Sequence, residues 1–237
     1  MKSELQCRKV GSRSILKMFI SASIIFTLNS CTKESLIKPF DTKADKATDP
    51  TEINNPPADT IKCGGFRTQT QGGWGAPAHG NNPGKYLHDH FTSAFPNGLT
   101  VGCNYKITLI SAQAITDYLP GGGNPAVLTT NYTNPTNLKN NLASQLVTLT
   151  LSVQFDLKDP KFSSSNLPLG SLLIGSGPFK GMSVNDFLKE ANNVLGGCPS
   201  KYTAAQISDV LTAVNENFDD GTGNDGFLVC PEDIVIN

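Results

Sequence analysis

Four cysteines spread over residues 63–237 constrain the fold of this chain more than any other feature. They are Cys63, Cys103, Cys198 and Cys230. In an oxidising compartment an even number of cysteines is typical of disulfides, and four cysteines can pair in three ways. We favour Cys63–Cys103 with Cys198–Cys230, because each bond closes a loop within one half of the folded region; sequence alone leaves the other pairings open. A zinc site is disfavoured because no Cys-x-x-Cys spacing is present.

The N-terminal 30 residues have the layout of an export signal. Five basic residues and one acidic residue precede or border an apolar run of 11 residues at positions 18–28. A positive segment before a short apolar core is typical of a secretory signal, and a membrane-spanning helix needs roughly 20 apolar residues. We therefore predict a signal peptide over residues 1–30, and export supplies the compartment in which disulfides form.

The end of this signal resembles that of bacterial lipoproteins. Leu28 stands three residues before Cys31, and the small Ser30 stands directly before it. The resemblance implies cleavage before Cys31, diacylglycerol on its thiol and an acyl chain, such as palmitate, on its freed amine. More than one chain matters, because a single chain anchors a protein only marginally. We expect membrane attachment outside the cytoplasm, in the outer membrane, on its periplasmic or surface side. An ordinary cleaved signal is the alternative.

A polar segment separates the anchor from the folded region. Residues 31–62 are rich in Lys, Asp, Thr and Pro, so burial cannot offset the entropy of ordering them. We interpret them as a disordered tether, and residues 63–237 as one disulfide-bonded domain. Without the signal's five basic and one acidic residues, totals of 19 and 20 fall to 14 and 19, a net charge of −5. This charge argues against a nucleic-acid partner.

The folded region predicts an α+β fold. Its first third is rich in glycine and irregular, and alternation over residues 99–110 predicts a small sheet or hairpin. Ser111 predicts a short helix that ends at Tyr118. Apolar residues recur every three or four positions over residues 138–153, which predicts a central buried helix, although part of this stretch also alternates like a strand.

Two helices are predicted to close the fold. Ser183 precedes an amphipathic pattern that ends at two glycines, and Thr203 begins a capping box with Gln206. The linker at residues 198–202 is short, so we expect these helices to be antiparallel neighbours. Several packed helices therefore follow the glycine-rich part.

The sequence contains two candidate metal sites. His79, His88 and His90 are the histidines of the chain, and a His-x-His pair on an extended segment would place both rings on one side. A polar surface loop explains the same residues. An acidic run near the C-terminus contains the other candidates, which are Asp219, Asp220 and Asp225. Their carboxylates suit calcium, but the register of an EF-hand fails, and a turn after a helix is the alternative.

Trp74, flanked by glycines, is a candidate for ligand binding. An indole on a glycine-rich loop can form a stacking platform for a sugar, which Tyr86, Phe91 and Tyr132 would extend. A tryptophan in the core is the alternative, and we favour it. The phosphate-loop and Gly-x-Ser-x-Gly motifs are both missing, so the sequence names no catalytic residue and no cofactor.

Three segments resemble uncharacterised secreted proteins of Bacteroidota. They are residues 66–75, residues 96–102 and the leucine-rich stretch near 142–155. The resemblance implies a shared architecture and an envelope location, and it carries no activity.

We therefore expect a non-enzymatic envelope lipoprotein, held in the membrane by lipid on Cys31, that binds a glycan or protein partner. A metal-dependent or hydrolytic enzyme that uses His79, His88 and His90 is the alternative. A structural component of an envelope assembly is a third hypothesis.

Overall fold

The computed structural model of the protein describes residues 63–231. The predicted signal, Cys31 and the tether lie outside these residues. The described part is mixed α+β, as predicted, with six α-helices and two small sheets. None of its helices has the length and apolar character needed to cross a membrane.

Short strands are interspersed among the helices along the chain. The helices are α1 (Gln71–Trp74), α2 (Pro83–Ala94), α3 (Ala112–Tyr118), α4 (Asn141–Lys158), α5 (Val184–Leu195) and α6 (Ala204–Glu216). The strands are β1 (Leu99–Gly102), β2 (Lys106–Leu109), β3 (Tyr132–Thr133), β4 (Leu173–Ile174) and β5 (Leu228–Val229). The predicted hairpin is the antiparallel pair β1–β2, to which β3 adds in parallel, while β4 and β5 form a separate antiparallel pair.

Helix α4 lies at the centre of the fold, which confirms the prediction of a buried central helix. It contacts α1, α2, α5, α6 and β1. Every residue from 142 to 149 is buried. A helix that is covered on all sides needs no polar face, so its apolar residues fit a helical and a strand-like period equally well.

The polar residues buried on α4 are hydrogen-bonded. Thr148 Oγ1 donates to the carbonyl of Ser144 at 2.8 Å. The Asn215 amide on α6 donates to the carbonyl and the side-chain oxygen of Gln145, at 3.0 and 2.8 Å. These bonds offset the cost of removing polar groups from water.

The predicted caps are confirmed. Ser111 Oγ accepts from the Ala114 amide and begins α3, and Ser183 Oγ accepts from Asp186 and begins α5. Both hydrogen bonds of the Thr203 capping box are present at α6. Helix α5 ends at its Gly196 cap, as predicted, and α5 contacts α6.

Helix α2 contradicts a prediction from the sequence. Its residues were expected to belong to the irregular glycine-rich part, and they form a helix instead. Asn82 Oδ1 accepts from the Lys85 amide at 2.8 Å, and Pro83 occupies the first turn, where no amide donor is needed. Leu87 and Phe91 are buried, four positions apart. The sequence thus contains the cap and the buried face of an amphipathic helix, directly after a glycine-rich segment.

The favoured disulfide pairing was wrong. The bonds are Cys63–Cys230 and Cys103–Cys198, each with 6.2 Å between the Cα atoms. Cys103 lies in the β1–β2 turn, whose Tyr105 amide donates to the carbonyl of Gly196 at the end of α5. Both bonds therefore join segments that are distant in sequence and adjacent in the fold.

Candidate functional site

The structure does not bring the three histidines together. His88 and His90 lie on α2, two positions apart, so their side chains point to different faces, and the predicted extended segment is wrong. His88 Nε2 lies 3.1 Å from Thr116 Oγ1, whereas His90 Nδ1 lies 3.4 Å from Asp159 Oδ2. Over residues 63–231, no cluster of three or more His, Cys, Asp or Glu residues could hold a metal ion.

The acidic run forms a turn after α6. Asp220 accepts hydrogen bonds from Arg67 Nη2 at 2.5 Å and from Gln69 Nε2 at 3.0 Å. The Asp219 and Asp225 amides donate to the carbonyls of Glu216 and Asn217 at the C-terminal end of α6. The carboxylate of Asp220 is therefore occupied by an arginine, and the three candidates do not form a calcium cage.

Trp74 belongs to the core and not to a surface platform, which confirms the favoured alternative. Its side chain has no exposed surface, and its indole N–H donates to Ser152 Oγ at 3.3 Å. Its ring packs against Phe155 and Phe162, with centroids 5.2 and 6.0 Å away. Phe91, proposed to extend the platform, is also buried.

A cluster of Tyr86, His90 and Asp159 lies where α4 ends. The Tyr86 hydroxyl donates to Asp159 Oδ2 at 2.5 Å, and the His90 ring stacks on Tyr86 with centroids 4.2 Å apart. Burial raises the pKa of Tyr86 well above its ordinary value, and the hydrogen bond to Asp159 raises it further. Partial burial acts to raise the pKa of Asp159, but hydrogen bonds from Tyr86 and the Lys161 amide, with His90 nearby, lower it overall.

This cluster lacks the nucleophile that a hydrolase would need. Ser93 is the serine nearest to His90 in the chain, and its hydroxyl donates to the backbone carbonyl of His90 at 2.7 Å. No serine hydroxyl in the part of the chain that the structure describes forms a hydrogen bond with the His90 ring. Instead, the cluster fixes Asp159, the first residue of the loop at 159–168.

Two cavities flank this loop and share Ser163 and Ser164. The larger cavity, of about 390 Å³, is lined by Asp156, Leu157, Pro160, Ser163, Ser164, Ser165, Asn166, Leu167 and Pro168. The smaller cavity, of about 230 Å³, is lined by Gly65, Phe66, Arg67, Lys161, Phe162, Ser163, Ser164 and Gly221. We call them the paired cavities. Three other cavities of the described region, one of them of about 620 Å³ beside Tyr202, share no lining residue with each other or with this pair.

Two hydrogen bonds to Asp156 fix the loop that lines the larger cavity. Asp156 Oδ1 accepts from Ser163 Oγ at 2.7 Å, and its Oδ2 accepts from the Leu169 amide at 2.6 Å. One carboxylate therefore ties the middle of the loop, and the residue that follows its C-terminal end, to α4. Leu157, a residue that is 62% exposed, adds an apolar surface.

Arg67 is a positively charged residue that lines the smaller cavity. Its guanidinium lies over the Phe162 ring, 5.6 Å from the centroid, and forms a salt bridge with Asp220 through Nη2. The Ser164 amide donates to the carbonyl of Gly65 at 2.9 Å, which joins the loop to the segment that carries Arg67. Lys161, which is exposed, adds a second positive charge.

The paired cavities were not predicted from the sequence, because the sequence carries little local signal for them. Their lining residues come from three segments, near 65–67, 156–168 and 221, and the loop carries no motif. The run of serines at 163–165 and the lone arginine after the signal are the features that point to them.

Comparison with protein-family models, with curated proteins and with solved structures gives no match.

Proposed function

We propose that this protein is a lipid-anchored binding protein of the bacterial envelope, and that it holds a saccharide in the paired cavities. The observation that carries the proposal is the meeting of two cavities at Ser163 and Ser164. The larger cavity falls within the range of roughly 300–1,000 Å³ that is usual for ligand sites. The anchor is inferred from the signal that ends at Cys31.

The lining of the paired cavities matches the chemistry of a sugar. A saccharide carries many hydroxyls that donate and accept hydrogen bonds, together with apolar C–H faces. The hydroxyls of Ser163, Ser164 and Ser165 already donate within the protein, so they and the Asp156 carboxylate offer acceptors to the hydroxyls of a sugar. Leu157 and Pro160 offer apolar surface beside them.

The loop is also fixed before any ligand arrives. Asp159 Oδ1 accepts from the Lys161 amide at 2.9 Å, while its other oxygen accepts from Tyr86. Asp156 holds Ser163, and Gly65 holds Ser164. A fixed loop loses little conformational entropy on binding, so modest contacts can give useful affinity.

A glycan array tests the binding half of the proposal. The mature chain, residues 31–237 with serine in place of the acylated cysteine, is compared with Ser164→Trp, which fills the junction of the two cavities from an exposed position. Ser93→Trp, at an exposed position on α2, is the matched control. We expect Ser164→Trp to lose at least tenfold in affinity and Ser93→Trp to bind normally, with circular dichroism unchanged for both. Equal binding by both variants, or binding to no glycan, would contradict the proposal.

The intact mass of protein extracted from native membranes tests the anchor. The expected mass is that of residues 31–237 plus lipid, less four hydrogens for two disulfides. A mass without lipid would refute the anchor and leave the saccharide site to be judged by the array.

A further inference from the structure

We infer that the smaller cavity binds the acidic substituent of the saccharide, a carboxylate, sulfate or phosphate group. This inference rests on the proposed function and specifies its ligand class. Two positively charged side chains, Arg67 and Lys161, line this cavity, and its lining contains no carboxylate. The described region as a whole is acidic, with eleven Asp and Glu against nine Lys and Arg, so a cavity with two cations runs against its average charge.

The two cavities differ in charge, and this difference orients a ligand. The larger cavity contains the Asp156 carboxylate and no cation. An anion is therefore repelled on that side and attracted on the other, and the shared serines lie between them. An acidic saccharide would place its charged group beside Arg67 and its hydroxyls beside Asp156.

The guanidinium of Arg67 retains donors for an anion. Its side-chain hydrogen bond within residues 63–231 is the one from Nη2 to Asp220, whose side chain is 58% exposed. Its Nε is buried and out of reach of a ligand, but Nη1 and the second hydrogen of Nη2 form no hydrogen bond with the described part of the chain, so these hydrogens are the donors left for an anion. An ion pair with an exposed carboxylate is weak, and a planar guanidinium is well suited to bind an oxyanion.

The position of Arg67 is also fixed in advance. The Phe162 ring lies beneath its guanidinium, and Asp220 holds one end of it, with Gln69 bonded to the same carboxylate oxygen. Restricting an arginine side chain to one conformation on binding loses conformational entropy, and here the fold already restricts it before a ligand binds. The side chain remains 26% exposed, so a ligand in the smaller cavity can reach it.

The test compares pairs of sugars that differ in the acidic group alone. Binding of glucuronic acid and glucose, and of galactose 6-sulfate and galactose, is followed by ¹⁵N chemical shifts of the mature chain. The variants are Lys161→Gln, Arg67→Gln and Arg67→Lys, with Lys158→Gln as the matched control, since Lys158 is exposed and outside both cavities.

We expect the acidic sugar of each pair to bind more tightly than the neutral one. Lys161→Gln should reduce this preference by up to about fivefold, as for an exposed ion pair. Arg67→Gln should reduce it by about tenfold or more, as for a charged hydrogen bond. Arg67→Lys should retain part of the preference, and Lys158→Gln all of it.

Two results would overturn the inference. One is equal affinity for the acidic and neutral sugars of a pair, which leaves the proposed saccharide site intact but removes its acidic specificity. The other is a preference that survives in both Lys161→Gln and Arg67→Gln. Binding of neither sugar, at any concentration and in any pair, would count against the proposed function as well.

Discussion

Replacing Ser152 with alanine should destabilise the protein by stranding the indole of Trp74. The indole is fully buried, and its N–H donates to Ser152 Oγ at 3.3 Å. Ser152 is itself fully buried on α4. Alanine preserves the helix but removes the acceptor, so the N–H is left without a partner in the core.

The expected cost follows from the geometry. A buried donor that loses its acceptor costs about 1–3 kcal/mol. The distance of 3.3 Å is longer than an ideal hydrogen bond, which favours the lower part of this range. Alanine also forms helices better than serine by roughly 0.5 kcal/mol, which offsets part of the loss. We therefore expect a net destabilisation of about 1 kcal/mol.

Ser144→Ala is the matched control. Ser144 is buried on the same helix, but its hydroxyl donates to the helix carbonyls of Asn140 and Asn141, at 3.3 and 3.1 Å. Its loss strands no donor, so this variant should gain up to roughly 0.5 kcal/mol from helix propensity. The two variants, identical in chemistry, should differ by about 1–2 kcal/mol.

Urea unfolding, followed by the fluorescence of Trp74, measures this difference, because Trp74 is the single tryptophan of the chain. The midpoint should fall for Ser152→Ala with an unchanged slope, as for a loss of stability without a change in the surface exposed. Equal free energies of unfolding for the two variants would refute the reasoning, because the indole would then not depend on Ser152.

Three further perturbations test the fold. Serine at both Cys103 and Cys198, which are 95 residues apart, should lower the free energy of unfolding in urea by up to about 4–5 kcal/mol through the larger entropy of the unfolded chain; a loss below about 1 kcal/mol would contradict this. Asp159 has a lowered pKa, so it stabilises the fold above the ordinary aspartate value of 3.8, and this stability disappears as the pH falls through the lowered pKa. The difference in unfolding free energy between wild type and Asp159→Asn should therefore shrink below pH 3.8, and a difference that does not vary with pH would contradict the cause given. Thr203→Ala should cost about 1 kcal/mol in thermal or urea unfolding, because it removes the cap of α6, and an unchanged stability would show that the cap is dispensable.

Local signals in the sequence predicted local structure well. The caps at Ser111, Ser183 and Thr203 each accept from the amide three residues further on, so each cap and its partner are close in the sequence. The hairpin at residues 99–110 joins neighbours in the same way. Helix α2 has equally local signals, but glycines precede it in the sequence. Because such glycines are typical of an irregular loop, the helix was not predicted.

Long-range features could not be predicted in this way. Thr68 pairs with Asp219, and β5 pairs with β4, so the fold brings the two ends of the described region together and places Cys63 beside Cys230. Strands of two residues are too short to show alternation. The paired cavities depend on the same long-range contacts, because Arg67 meets the loop at 159–168 through the folded chain.

Mapping the bound saccharide on the protein tests the central claim most directly. The mature chain is labelled with ¹⁵N and titrated with the best glycan from the array. We expect the largest shifts on the amides of residues 161–167 and on the side chain of Arg67, around the shared Ser163 and Ser164. Largest shifts at another cavity, such as the one beside Tyr202, would contradict it.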